Sequence, residues 1–211
     1  MFRFKRFTIC QDRCPMKVGT DGVLLGAWAG VRPSDRRILD VGTGTGLIAL
    51  MMAQRAPEAL ITGVDVEEVS QARENAAASP WGGRVVFEQC PVQEFAPDER
   101  FDLILSNPPF FVDSLTCPDE GRFAVILPTD EARRFADVCR GFLALTRSTG
   151  VRTTPCRPVK RMLMEFAHEN ACSGLRSDSP PVCSELVVGT GEHEQYTPEY
   201  RALTRDFYLK F

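Results

Sequence analysis

Apolar residues fall in short blocks separated by segments of helical spacing, and this alternation predicts repeated strand–helix units. Arg37-Ile-Leu-Asp-Val41 is an apolar run ending in glycines, the pattern of a parallel strand buried on both faces. A helix is expected over Leu47 to Gln54, a second strand over Leu60 to Asp65, and a second helix from about Val69 to Ala78. Arg84 to Glu88, Phe101 to Ser106 and Phe123 to Leu127 read as further strands, the last stopped by Pro128. Thr129 or Asp130 is expected to cap a helix reaching about Leu145.

Beyond that helix the pattern changes to strands with little helix between them. They run over Gly150 to Thr154, Arg161 to Ala167 and Glu185 to Val188. A last helix opens with Thr197 as cap and Pro198 in its first turn. Repeated βα units imply a single α/β domain, residues 1–211, with a Rossmann-like, mostly parallel, doubly wound sheet. The late strands suggest antiparallel edge strands.

One connection resists this scheme. A parallel crossover needs a dozen or more residues, usually a helix. The stretch from Ser106 to Phe123 contains Pro108, Pro109, Pro118 and Gly121, and nothing in it resembles a helix. A segment is therefore expected to be missing near Asp119 to Gly121.

Length and composition suit one globular domain of 211 residues, and no apolar run of about 18 residues is present to span a membrane. The N-terminus, Met1-Phe-Arg-Phe-Lys-Arg-Phe7, lacks the apolar stretch of a signal peptide, so a cytoplasmic protein is expected. Eight scattered cysteines without a CxxC pair read as reduced thiols, not as a disulfide framework or a metal site. The net charge of −3 hides two basic clusters. Arg3, Lys5, Arg6, Arg13 and Lys17 face only Asp12, while Arg147, Arg152, Arg157, Lys160 and Arg161 have no acid among them. Either run is compatible with a solvated face; on an acidic chain both also suit a local grip on phosphates.

The chemistry gathers at the strand ends. Asp40-Val-Gly-Thr-Gly-Thr-Gly46 leads straight from strand to helix, and glycines there allow a tight turn and close approach to a ligand. Leu47 occupies the place of the third glycine in a dinucleotide G-x-G-x-x-G, and no lysine follows in P-loop spacing. Asp65, at the tip of the second strand, is suited to accept hydrogen bonds from both ribose hydroxyls of an adenosine; its bland alternative is a cap on the next helix. Asn107-Pro-Pro-Phe110 follows the fourth strand. Its prolines stiffen the backbone, so the Asn107 side-chain oxygen and the Pro108 carbonyl can accept from both N–H groups of an exocyclic amine. That would favour a pyramidal, more nucleophilic nitrogen, while Phe110 offers a face for a flipped base. A structural turn can also read Asn-Pro-Pro, so the motif gains its meaning from the glycine loop and acid before it.

Together Asp40 to Gly46, Asp65 and Asn107 to Phe110 resemble the motifs of class I S-adenosylmethionine-dependent methyltransferases acting on amino or amide nitrogens. More narrowly, Phe4-Lys-Arg-Phe-Thr8, Met16 to Trp28, Ser79-Pro-Trp81 and Leu203 to Phe211 resemble the bacterial tRNA adenine-N6 methyltransferases that modify the adenine 3′ of the valine anticodon, position 37. The resemblance implies S-adenosylmethionine as cofactor and tRNA as substrate, with no metal. It implies contacts to the cofactor from Asp40, Gly42, Thr43, Gly44, Gly46, Asp65 and Asn107. It further implies that Lys17, Thr20 and Asp21, within an N-terminal segment of residues 1–35, close over the methionine end, and that Gln89 to Gln93, including Val92, line the adenine pocket. Asn107, Pro108 and Phe110 carry the catalytic role. The departure from the family is the absent basic, His-containing loop and helix after Cys117-Pro-Asp119. Rival readings are an N5-glutamine methyltransferase acting on a release factor, a DNA adenine methyltransferase, and a non-catalytic RNA-binding module. Only some 35 residues precede the first strand, too few for the helical domain of the glutamine enzymes.

Overall fold

The structure is a computed structural model describing residues 1–108, 121–168 and 180–211. A small antiparallel pair, β1 (Phe2–Arg3) and β2 (Thr8–Ile9), precedes helix α1 (Thr20–Trp28). Then come β3 (Arg37–Val41), α2 (Leu47–Arg55), β4 (Leu60–Asp65), α3 (Ser70–Ala77), β5 (Val85–Gln89), β6 (Leu103–Ser106), β7 (Arg122–Pro128) and α4 (Thr129–Cys139). The chain ends with β8 (Leu143–Arg152), β9 (Arg161–His168), β10 (Val182–Val187) and α5 (Pro198–Thr204).

Eight strands form one sheet in the order β10-β8-β9-β7-β6-β3-β4-β5. Strands β3 to β7 pair in parallel. The antiparallel pairs of this sheet lie among the late strands but not at an edge, where they were expected: all are made by β9, between β7 and β8. The outermost strand, β10, runs parallel to β8. Both faces are covered, and the two-residue period of a strand sorts the side chains between them. Ile38, Leu103, Leu105, Ala124 and Ile126 enter the larger core under α1, α2 and α3. Leu39, Val41, Ile104, Phe123 and Val125 enter the core on the other side, with residues of α4.

Helix α1 escaped the periodicity argument because it has no polar stripe. Gly22 to Trp28 are all buried, and a helix apolar all round gives no helical period. It packs against α2, where a Cβ on Gly26 would stand 2.6 Å from Met51 Sδ. Glycine there removes the clash, which offsets its cost of about 1 kcal/mol in a helix.

Two expectations are corrected. Helix α4 ends at Cys139, not near Leu145, because Gly141 adopts φ +90° and turns the chain into β8, which starts at Leu143. Neither Thr129 nor Asp130 caps α4: Pro128 holds the cap position, and the Thr129 hydroxyl donates to the Val159 carbonyl at 3.0 Å. At the other end of the chain, Thr197 does cap α5, its hydroxyl accepting from the Tyr200 amide at 3.2 Å with Pro198 behind it. The expected missing segment falls on residues 119–121, of which Asp119 and Glu120 lie outside the described residues.

Candidate cofactor and catalytic site

The site forms at the C-terminal edge of the sheet, where the chain order reverses. From β3 the chain proceeds to β4 and β5 on one side, then returns to β6 on the other, and such a reversal opens a crevice outside the strand ends. Register brings the ends together: Val41 lies between Val64 and Ser106, and Asp65 lies beside Gln89. The glycine loop, Asp65 and Asn107 therefore issue from three adjacent strands about 4.8 Å apart.

The loop is held by its own backbone. The amides of Gly42 and Thr43 donate to the Val64 carbonyl at 2.9 and 3.1 Å, and that of Gly46 to the Thr43 carbonyl at 2.9 Å. All three glycines have positive φ, of 72°, 52° and 80°. Their surroundings differ. A Cβ on Gly42 or Gly44 would meet nothing within 4 Å, so both line open space, whereas one on Gly46 would reach 2.9 Å from Phe87 Cζ. Gly46 belongs to the packing behind the loop. So does Gly63, missed in the sequence, whose Cβ would stand 2.5 Å from Phe87 and 2.7 Å from the Thr43 hydroxyl.

Two acids shape the cradle. Asp40 is fully buried; its Oδ2 accepts from the Thr43 hydroxyl at 2.7 Å and the Ala49 amide at 3.1 Å. Its Oδ1 is also buried and has no hydrogen-bond partner among the described residues. Burial is the main cause that pushes this carboxyl up to about 7, against the pull of those two hydrogen bonds, with the nearby Asp65 charge adding to the rise. A buried oxygen left unsatisfied marks a place for a cation or donor that the chain does not supply. Asp65 accepts from the Gly44 amide at 2.8 Å and the Glu67 amide at 3.0 Å. It does not cap α3, which starts at Ser70 with Val69 in the cap position. Each carboxylate oxygen retains a lone pair for a further donor.

Asn107 and Pro108 are half-buried just past β6. The Ser106 hydroxyl donates to the Val41 carbonyl at 3.0 Å and ties β6 to β3 beneath them. A Cβ on Gly22 would lie 3.9 Å from Asn107 Nδ2 and 3.1 Å from Leu47, so α1 begins directly beside Asn107. Phe110 lies outside the described residues. Val92 is half-buried and Gln93 exposed in the turn after β5, where the Glu94 amide donates to the Pro91 carbonyl at 2.9 Å.

The segment expected to close over the site is engaged within the protein. The Lys17 ammonium donates to the carbonyls of Gln11 and Cys14. Thr20 is the exposed first residue of α1. Asp21 accepts from Arg161 Nε at 2.7 Å, a partner 140 positions away that no local pattern reveals. A cleft of about 830 Å³ is lined by Lys5, Arg32, Asp35, Arg55, Glu58 and Asp206 among others. It opens at the opposite edge of the sheet and contains none of the residues above.

The residues fit an adenosine-bearing sulfonium cofactor. Two glycines leave room for it, Asp65 has acceptor capacity for a ribose, and the orphan oxygen of Asp40 suits an ammonium group. Comparison with known proteins agrees. Residues 23–119 match the family model "Methyltransferase small domain". The chain resembles in fold the crystal structure of a predicted O-methyltransferase from Agrobacterium tumefaciens, with a TM-score of 0.70 at 20% identity over 89% of this chain and 96% of that one. It is 41% identical to a tRNA1(Val) (adenine(37)-N6)-methyltransferase of Bacteroides thetaiotaomicron, over 99% of this chain and 97% of the relative. A protein of the same name from Phocaeicola vulgatus is 42% identical over 99% and 97%. With that identity over nearly its whole length, the chain belongs to the tRNA1(Val) (adenine(37)-N6)-methyltransferase family.

Proposed function

We propose that this protein transfers the methyl group of S-adenosylmethionine to the exocyclic N6 of the adenine at position 37 of tRNA1(Val). The observation that carries the reading is the convergence of the glycine loop, Asp65 and Asn107 on one sheet edge, beside an orphan carboxylate oxygen. Bound in that crevice, S-adenosylmethionine supplies a methyl group already activated on a sulfonium. The chain's own task is then orientation. Asp65 receives the ribose hydroxyls, Gly42 and Gly44 give the backbone room, and Asp40 receives the amino group. Lys17, Thr20 and Asp21 cover the methionine end, and Val92 and Gln93 flank the adenine. Asn107 and the Pro108 carbonyl accept from the N6 amine and raise its nucleophilicity in line with the methyl group. The role of Phe110 rests on the sequence motif.

Two further readings accompany this. The first alignments run over 240 and 238 positions against 211 residues here, and a stretch absent between β6 and β7 accounts for part of the excess. A tRNA substrate also makes the cytoplasm the site of action; no helix among the described residues is long and apolar enough to cross a membrane.

The test is methyl transfer from labelled S-adenosylmethionine to unmodified tRNA, with release factor and duplex DNA in parallel. Label recovered as N6-methyladenosine, and lost by a factor of at least 10² in Asn107→Ala with cofactor binding retained, supports the reading. Label in protein alone would replace it with the glutamine methyltransferase.

A further inference from the structure

Of the two basic clusters, the second leaves two cations without a side-chain partner among the described residues at the catalytic edge. In the N-terminal cluster the Lys5 ammonium donates to the carbonyls of Arg205 and Phe211. Arg6 lies 5.5 Å from the Trp81 ring centroid, Arg13 pairs with Glu74, and Lys17 is bound to Gln11 and Cys14. Lys5 and Arg6 moreover border the cleft at the far edge of the sheet. Four of its cations are thus engaged in contacts within the protein.

The connection from β8 to β9 differs in place and in charge. Strand β8 runs in the same direction as β7, and β7 in the same direction as β6, so this hairpin leaves the sheet at the edge that carries Asn107. Arg161 pairs with Pro128, three residues beyond the Val125 that pairs with Ser106, so the hairpin rises above the strand end by about 10 Å. Three strand spacings separate β8 from β6, or about 14 Å.

The hairpin is rigid. Pro155 and Pro158 restrict its backbone, the Lys160 amide donates to the Val151 carbonyl at 3.0 Å, and that of Arg157 to the Thr154 carbonyl at 3.1 Å. Its charges divide into two kinds. Arg152 is matched by Glu185 and Arg161 by Asp21. Arg157 and Lys160 are exposed, and among the described residues no side chain pairs with either. The acids at the start of α4 include Asp130, which faces Arg133.

We infer that Arg157 and Lys160, on the β8–β9 hairpin, form the surface that grips the phosphate backbone of the RNA substrate beside the reactive adenine. The inference rests on the reading of the substrate as RNA and adds where it docks. A preorganised pair of cations, three strands across from Asn107 and about 10 Å above its strand end, contacts the backbone of a strand whose base enters the crevice, and needs no sequence-specific contact.

The experiment is equilibrium binding of unmodified valine tRNA to the full chain across a salt series, for the wild type, Arg157→Gln/Lys160→Gln, and Arg3→Gln as a control from the other basic cluster. Affinity of each for S-adenosylhomocysteine and each melting curve are measured alongside. The double variant is expected to bind RNA at least tenfold more weakly, with the slope of log K against log salt reduced by about 1.4 to 1.8 for two lost phosphate contacts. Cofactor affinity and melting stay as in the wild type, and Arg3→Gln keeps the wild-type slope. A double variant that binds with wild-type affinity and slope overturns the inference, as does an equal loss in Arg3→Gln. A wild type that binds no tRNA while binding S-adenosylhomocysteine overturns the RNA reading itself.

Discussion

The Arg161 guanidinium meets the Asp21 carboxylate at 2.7 Å and so ties the first residue of β9 to the first turn of α1. Because α1 begins beside Asn107, the pair holds the entrance of the crevice in register with the catalytic motif. Arg161 is thereby a positioning residue for the cofactor-covering segment. Both side chains are over a third exposed, so the pair adds at most about 1 kcal/mol to stability. Arg161→Gln is expected to weaken S-adenosylhomocysteine binding by about three- to tenfold, equivalent to about 0.7–1.4 kcal/mol, while the melting temperature moves by less than about 4 °C. Titration calorimetry beside a thermal melt separates the two effects. Arg161→Lys should recover part of the affinity; a fall in stability without loss of affinity would reduce the pair to a structural link.

The three glycines of the loop should respond differently to alanine. At Gly44 a Cβ meets nothing within 4 Å and only the positive φ resists it, which costs about 1–2 kcal/mol. The new methyl group then projects into the space assigned to the cofactor, so affinity falls much more than stability. At Gly46 the same φ penalty is joined by a contact at 2.9 Å with the Phe87 ring, an overpacking cost of about 1–3 kcal/mol more. Gly46→Ala is therefore expected to be the less stable protein in urea denaturation. Equal stabilities would show that the Phe87 ring yields at no cost.

These residues also mark what could be read from the chain alone. Asp40 to Gly46, Asp65 and Asn107 were legible because each motif is local: a strand, its tip and the turn that follows lie within a few residues. Helix α1 was not legible, since burial on every side erases its period. Nor was Phe87, whose importance lies in the two glycines it touches from a neighbouring strand. Arg161 and Asp21 stand 140 positions apart, and only the sheet order brings them together. The same holds for the hairpin cations, whose place at the sheet edge that carries Asn107 depends on β9 running against its neighbours.

Asp40 gives a pH dependence with a definite sign. Its carboxyl is raised from an ordinary 3.8 to about 7 by burial. Between those values the native protein keeps it protonated while the unfolded chain has released the proton, so the native state binds more protons and stability falls as pH rises through that window. Above about 7 the native state bears the whole cost of a buried carboxylate with one unsatisfied oxygen. Asp40→Asn removes this cost and keeps an acceptor for Thr43 and Ala49. Its melting temperature relative to wild type should therefore be higher at pH 8 than at pH 5. A difference independent of pH would assign the carboxyl an ordinary titration.

The largest stability effect is expected far from the crevice, around Arg122. This guanidinium is almost fully buried; it meets Asp35 at 2.6 Å and Glu165 at 3.9 Å, and also donates to the Gly30 carbonyl. Glu165 in turn accepts from the Gly30 amide at 3.1 Å and from Arg147 at 3.2 Å, and Arg147 lies 3.7 Å over the Trp28 ring. The network thus fastens the end of α1 to β7, β8 and β9. Burying these charges is costly in itself, and their mutual pairing offsets that cost without a large surplus. Removing one member leaves the others desolvated and unmatched. Asp35→Ala should accordingly cost about 3–5 kcal/mol, or about 6–20 °C in melting temperature for a chain of this size. Arg122→Met added to Asp35→Ala removes the stranded cation and should restore part of the loss, whereas independent contributions would make the double variant the less stable one. A double-mutant cycle by thermal melting decides between them, and recovery would identify the network as a device for orienting α1 more than for stabilising the fold.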